Sequence, residues 1–198
     1  MDELGFDFNN AVAWFLHQQE QPYALVKLTA EQTEQLVSDT ATAVRRCYIS
    51  DQLLIEASAA SGLAQSEVLA SRLPDPGSTM AGDFGEILGY FYQSTKALPE
   101  FAVGVKKWRL KQDRTKPAPK SDVVHFLMPD RFINLIDHPP ISTRFHAVAV
   151  VCESLIEREL VAAPDTQSTD FTLLVIVVPN LKQNYESIFN ALHETLEE

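Results

Sequence analysis

Acidic and basic side chains alternate in the middle of the sequence. Asp83 and Glu86 belong to the stretch GDFGEILGYFYQSTK, residues 82–96. A basic run, VGVKKWRLK, follows at 103–111, and a further acid, Asp122, precedes the apolar stretch VVHFLM. Mg²⁺ prefers oxygen ligands, usually one or two carboxylates completed by water and phosphate. Glu86 and Asp122 are therefore candidate ligands for a Mg²⁺ ion that activates water for attack on a phosphodiester.

The basic run supplies the cations that such chemistry needs. Lys111 is a candidate for stabilising the negative charge that develops on the phosphate. Lys106, Lys107 and Arg109 are candidate contacts for nucleic acid, and Trp108 is a candidate for stacking on a base. The alternative for the tryptophan is a position half-buried on a sheet, with its charged neighbours in solvent.

A purely structural interpretation of the acids competes with the metal site. Acidic side chains at a helix N-terminus are stabilised by the helix dipole, and Asp83 and Glu86 stand where a helix is expected to begin. Asp122 then only ends a loop. None of the five histidines forms an HxH or HxxxH pair, so zinc is not expected. His125 alternates with core positions and is interpreted as a structural, hydrogen-bonded histidine.

Composition favours one compact domain of ordinary type. The chain has 198 residues, 45% of them hydrophobic and 22% charged. Cys47 and Cys152 have no metal-binding spacing and are expected to be buried, reduced thiols of a cytoplasmic protein. No run of about 18 apolar residues is present, so no membrane span is expected. The net charge of −11 weighs against a nucleic-acid-binding protein that works alone.

Periodicity divides the chain into a mostly helical N-terminal lobe, residues 1–78, and an α/β core, residues 79–198. Turn residues PDPGST at 74–79 mark the boundary. Helices are predicted at 29–47, 50–61, 66–73, 82–96 and 180–198, and strands at 22–28, 101–110, 122–128, 145–155 and 171–179. The unbroken apolar run FTLLVIVVP predicts a central strand buried on both faces. The predicted fold class is α/β, with α+β as the alternative, built on a central mixed sheet flanked by helices.

Three motifs resemble those of a known family. The succession GDFGEILGYFYQ, VGVKKWRLKQD and SDVVHFLM resembles the nuclease subunit of the Hachiman antiphage defence system, the HamA-like proteins. The family pattern is similar: a Gly-x-x-Glu helix, a basic strand, and a strand that opens with Gly or Ser followed by Asp. The ending VIVVPNLKQNYESIF is similar too. The resemblance implies a restriction-endonuclease-like, PD-(D/E)xK-type core that acts on DNA together with a helicase partner.

The sequence departs from that pattern in one respect. Such a core carries Asp/Glu-x-Lys on a strand soon after the first strand acid, here Asp122. None of the acids that follow in this region, Asp130 and Glu153 among them, has a lysine two places later. Either the chain is a catalytically incomplete relative, or the segment that carries the motif after Met128 is absent from this version of the chain.

The sequence thus predicts a defence component with a nuclease-like fold that does not cut nucleic acid by itself. Alternatively, Lys107 or Lys111 takes over the role of the missing lysine, and the site is complete. A hypothesis of another class is a non-catalytic interaction module of the same fold. In both cases we expect a complex with a larger, DNA-translocating partner, and weak, salt-dependent DNA binding by the chain alone.

Overall fold

The computed structural model describes residues 3–16, 24–97, 101–111, 113–116, 125–128, 145–151 and 171–196, which form helices and short strands. The α-helices in these residues are α1 (Phe8–Ala11), α2 (Ala30–Tyr48), α3 (Asp51–Ser61), α4 (Gln65–Arg72), α5 (Ser78–Ala97) and α6 (Leu181–Ala191). The strands are β1 (Ala24–Lys27), β2 (Phe101–Gly104), β3 (His125–Met128), β4 (Phe145–Val151) and β5 (Phe171–Val177). Short 3₁₀ helices span Val12–Phe15, Lys107–Leu110 and Glu194–Leu196.

Helix α2 begins where the sequence predicts it. Thr29 caps the helix by accepting a hydrogen bond from the Gln32 backbone N–H at 3.1 Å, and the Gln32 side chain accepts the Thr29 backbone N–H at 2.9 Å. This reciprocal capping box satisfies two backbone donors that the first turn would otherwise leave without partners. The predicted cap Ser50 likewise begins α3. The N-terminal half therefore owes much of its helical structure to local signals.

Strand β5 is the central strand of a parallel sheet, in the order β1-β5-β4. Ala24 of β1 and Val148 of β4 both lie opposite Leu174. Val175, Ile176 and Val177 are buried, which explains the unbroken apolar run. The prediction of a central strand is confirmed. The single mixed sheet is wrong for the described residues, because β2 and β3 form a separate antiparallel pair.

The predicted strand at 101–110 is wrong beyond Gly104, where β2 ends and a 3₁₀ helix, Lys107–Leu110, soon follows. Consecutive side chains of a strand point to opposite faces. Lys106, Lys107 and Trp108 are nevertheless all buried. A tight helical turn allows these neighbours to face the protein together, and a strand does not.

Helix α5 begins at Ser78, earlier than the sequence predicts. The turn before it is completed by Gly77, whose φ of +122° is strained for any residue with a Cβ atom. Asp83 and Glu86 therefore lie in the second and third turns of the helix. The hypothesis that they stabilise a helix N-terminus is wrong, because the helix dipole acts within the first turn.

One hydrophobic core joins the described elements. It includes Phe15 near the N-terminus, Phe91 of α5 and Phe189 of α6. Cys47 is buried as expected, whereas Cys152 lies outside the described residues. The architecture is mixed and dominated by helices, in agreement with an α/β or α+β class. The division of the chain at residue 78 stays a prediction. Within the described residues, no helix is both long and apolar enough to cross a membrane.

Candidate functional site

Two acids of α5 face two lysines of the basic run. Asp83 and Glu86 are three residues apart and so share one side of the helix. The Lys107 ammonium lies 2.9 Å from Glu86 Oε2, and the Lys111 ammonium lies 2.7 Å from Asp83 Oδ2. The lysines themselves are four residues apart, at the start of the 3₁₀ helix and just after its end. The two ion pairs therefore run side by side between α5 and the basic run.

The inner pair is a buried structural contact. Asp83 and Lys111 are only 2% and 4% exposed in their side chains. Asp83 Oδ2 also accepts a hydrogen bond from the Tyr48 hydroxyl at 2.9 Å. Burial, and secondarily the adjacent Asp83 carboxylate, raise the pKa of Tyr48 well above its usual 10.0. This group joins α2, α5 and the basic run at one carboxylate, and it withdraws Asp83 from contact with solvent.

The outer pair is also buried where its atoms meet: Glu86 Oε2 and the Lys107 ammonium nitrogen are shielded from solvent, and only the rest of the Glu86 side chain is partly exposed. The Glu86 side chain remains 22% exposed, while that of Lys107 is 7% exposed. Of the two acids on this side of α5, Glu86 is therefore the one that a substrate or an ion can approach. The predicted catalytic role of Glu86 is compatible with this position, whereas Lys111 is held inside by Asp83.

Most of the basic run is turned inward rather than toward a ligand. Lys106 pairs with Glu3 at 2.8 Å, and its ammonium lies 5.5 Å from the centre of the Tyr90 ring. Arg109 donates two hydrogen bonds to the Arg46 carbonyl oxygen.

Trp108 is 2% exposed and packs edge-on against Tyr90. A base has no exposed face of this indole to stack on in the present conformation. Among the four residues predicted to contact nucleic acid, the three polar ones have side-chain exposures of 6% for Lys106, 7% for Lys107 and 21% for Arg109. Contact of these four with nucleic acid stays a prediction, and in this conformation only Arg109 presents an appreciable surface for it.

The described residues supply one carboxylate for a metal ion, not a complete set of ligands. Asp122 lies outside them, so its separation from Glu86 is not fixed by the structure. In the described part of the chain, no group of three or more His, Cys, Asp or Glu side chains is placed to hold a metal. His125 begins β3 opposite Gly104, which fixes its backbone near α5 but not its ring. The predicted pair of Mg²⁺ ligands, Glu86 and Asp122, therefore stays a prediction.

Sequence reasoning missed the contribution of Tyr48 altogether. Its hydroxyl reaches a carboxylate 35 residues further along the chain, and no local pattern marks such a contact. The inner ion pair was missed for the same reason, since it joins residues 28 apart. A buried acid in the middle of an apolar helix needs a partner, and this requirement is the signal that could have indicated one.

The family of the chain is shown by comparison with known proteins. The family model for HamA matches residues 16–136, more than half of the 198-residue chain. The chain belongs to the HamA family, as the motifs suggest, and this membership indicates a component of the Hachiman antiphage defence system. The match includes most of the N-terminal half, where the resemblance is weak, and ends before VIVVPNLKQNYESIF. No curated protein and no solved structure matches the chain.

Proposed function

We propose that this chain is the nuclease component of a Hachiman defence complex and cleaves DNA together with a helicase partner. The proposal includes the restriction-endonuclease-like, PD-(D/E)xK-type core that the resemblance implies. The observation that carries it is the outer ion pair: Glu86, whose side chain is 22% exposed, with a lysine ammonium 2.9 Å from its Oε2. A nuclease core of the PD-(D/E)xK type needs a carboxylate and a lysine ammonium close together. Here the lysine comes from the basic run rather than from an Asp/Glu-x-Lys strand.

Each residue has a distinct task in the proposed site. Glu86 and Asp122 would hold Mg²⁺, which would polarise the phosphate and lower the pKa of the attacking water. Lys107 offsets the charge of Glu86 and holds its carboxylate in position from the protein side. The Tyr48–Asp83–Lys111 group keeps the basic run fixed on α5, and so positions Lys107 against Glu86.

A non-catalytic interaction module is the second candidate, and one observation favours it. Lys106, Lys107 and Lys111 each lie in an ion pair with an acid of the same chain, and all three are buried. Such mutual pairing also describes a purely structural network, in which the acids and lysines stabilise the fold and leave a surface for a partner protein. Under this function the chain binds the helicase and cuts nothing.

A cleavage assay separates the two candidates. Plasmid DNA is incubated with Mg²⁺ or Mn²⁺ and the chain, alone and with the helicase encoded beside it, using the wild type, Glu86→Gln and a control, Glu34→Gln. Glu34 is an exposed acid on α2, far along the chain from the site. We expect cleavage by the complex only, lowered by roughly 100-fold or more in Glu86→Gln, as when a preorganised electrostatic group is lost.

The control variant should cleave like the wild type. If the complex assembles and neither the wild type nor Glu86→Gln cleaves, the interaction module is the correct function. If Glu86→Gln cleaves as fast as Glu34→Gln, the chain is a nuclease with its site elsewhere.

A further inference from the structure

A basic depression lies at the end of the basic run. Its volume is about 330 Å³, and it is lined by Ser71 and Arg72 at the end of α4 and by Lys111 and Arg114. Ser71 donates its hydroxyl hydrogen to the Val68 carbonyl oxygen. Its exposed cations are Arg72 and Arg114, because the Lys111 ammonium is buried against Asp83.

The fold holds one of these cations in place through the segment that follows the basic run. Arg114 Nη2 lies 2.6 Å from Asp75 Oδ1, and the Asp75 backbone N–H donates to the Arg114 carbonyl oxygen. The Thr79 hydroxyl donates to the Thr115 carbonyl oxygen at 3.1 Å. The short segment around Arg114 is thus fastened through its backbone to the turn before α5 and to the first residues of α5, and its guanidinium is directed by Asp75.

Charge in the basic depression is not fully balanced by the chain. Lys111 is paired with Asp83 and Arg114 with Asp75. Arg72 makes no ion pair with any part of the chain that the structure describes, so three cations stand against two carboxylates. A lysine has three N–H donors and an arginine five. Arg114, whose side chain is 44% exposed, therefore retains accessible donors after its pair with Asp75 is made.

We propose that the basic depression binds a phosphate group. A phosphate presents oxygens in several directions and suits guanidinium donors that come from the end of α4 and from the segment after the basic run. Arginine forks bind such oxygens in pairs. A metal cation is repelled by the surplus positive charge, and an apolar ligand would leave the cations desolvated without a partner. The inference goes beyond the proposed function, because it requires neither a metal ion nor cleavage.

Calorimetric titration in the presence of EDTA tests the proposal without any contribution from cleavage. Inorganic phosphate is titrated into the full chain at constant ionic strength, with chloride as the competing anion. The variants are Arg72→Gln and Arg114→Gln, and Lys182→Gln is the control, because Lys182 is a highly exposed cation on α6. Circular dichroism and the melting temperature establish that each variant is folded.

We expect saturable binding at one site in the wild type and in Lys182→Gln. Loss of a charge-assisted contact should weaken binding about tenfold in Arg72→Gln and in Arg114→Gln. If short duplex DNA without terminal phosphates competes with inorganic phosphate, the ligand of the site is the nucleic-acid backbone. If the DNA does not compete, the ligand is a free phosphate compound. The proposal is overturned if phosphate does not bind saturably, or if both folded arginine variants bind it as tightly as Lys182→Gln.

Discussion

The Lys111 ammonium lies 2.7 Å from Asp83 Oδ2, and both side chains are almost completely buried. Removing two charges from water is costly, and their attraction offsets that cost only where the geometry is good and further hydrogen bonds are made. The Tyr48 hydroxyl supplies such a bond to the same oxygen. The pair lies about one helical turn from Glu86, so it determines where the basic run, and Lys107 with it, meets α5.

Replacing Lys111 should destabilise the protein strongly. Lys111→Met leaves the Asp83 carboxylate buried without its countercharge, and breaking a buried pair in this way costs about 3–5 kcal/mol. The matched control is Lys182→Met, which removes an exposed lysine from a loose pair with Glu186 at 3.8 Å and should cost about 0–1 kcal/mol. Urea unfolding measures both free energies. Equal stability of the two variants would mean that the inner pair does not form.

Tyr48 should make the protein sensitive to alkaline pH. Because its pKa is raised above 10.0 in the folded state, the folded protein retains a proton that the unfolded chain loses. The stabilising contribution is fully present below pH 10 and is lost as the pH rises from there toward the folded pKa. The free energy of unfolding, measured against pH, should therefore fall more steeply above pH 10 in the wild type than in Tyr48→Phe. If the free energy of unfolding falls equally steeply above pH 10 in both proteins, the Tyr48 hydroxyl is not buried as described.

Two glycines near the site should respond oppositely to alanine. A Cβ atom at Gly104 would overlap the Tyr90 ring, whereas one at Gly82, on an exposed turn of α5, meets nothing within 4 Å. We expect Gly104→Ala to cost about 1–3 kcal/mol through overpacking. Gly82→Ala should stabilise the helix by about 0.5–1 kcal/mol. Thermal unfolding measures the stability of both variants. If Gly104→Ala is as stable as the wild type, β2 is not packed against α5 as described.

Much of the helical architecture could be predicted from local chemistry. The Thr29–Gln32 capping box and the Ser50 cap are complete within a few residues of sequence, so the pattern alone places α2 and α3. The apolar run of β5 likewise indicates its central position. The start of α5 could not be placed, because the turn residues before it conceal that Ser78 already belongs to the helix. The prediction of a strand fails after Gly104 because the lysines of the basic run turn toward acids that are distant in the sequence, Glu3, Asp83 and Glu86.

The candidate site was predictable in its residue types but not in its pairings. Glu86 and the two lysines were recognised by sequence, yet nothing local assigns Lys107 to Glu86 and Lys111 to Asp83. Those assignments follow from how the 3₁₀ helix lies on α5. Likewise, the basic run was expected to form a positive surface, and the structure places acids of other elements against its lysines. The role of Asp122 stays a prediction.

The central claim is that Glu86 and Lys107 act as one catalytic unit, and single-turnover DNA cleavage by the complex with the helicase tests it most directly. Rates are compared for the wild type, Glu86→Gln, Lys107→Met and the double variant, with Lys182→Met as the matched control. Removing either member of a unit costs about as much as removing both. We therefore predict that each single variant loses roughly 100-fold or more, that the double variant loses little beyond that, and that the control cleaves normally. Wild-type rates in folded Glu86→Gln and Lys107→Met complexes would contradict the account.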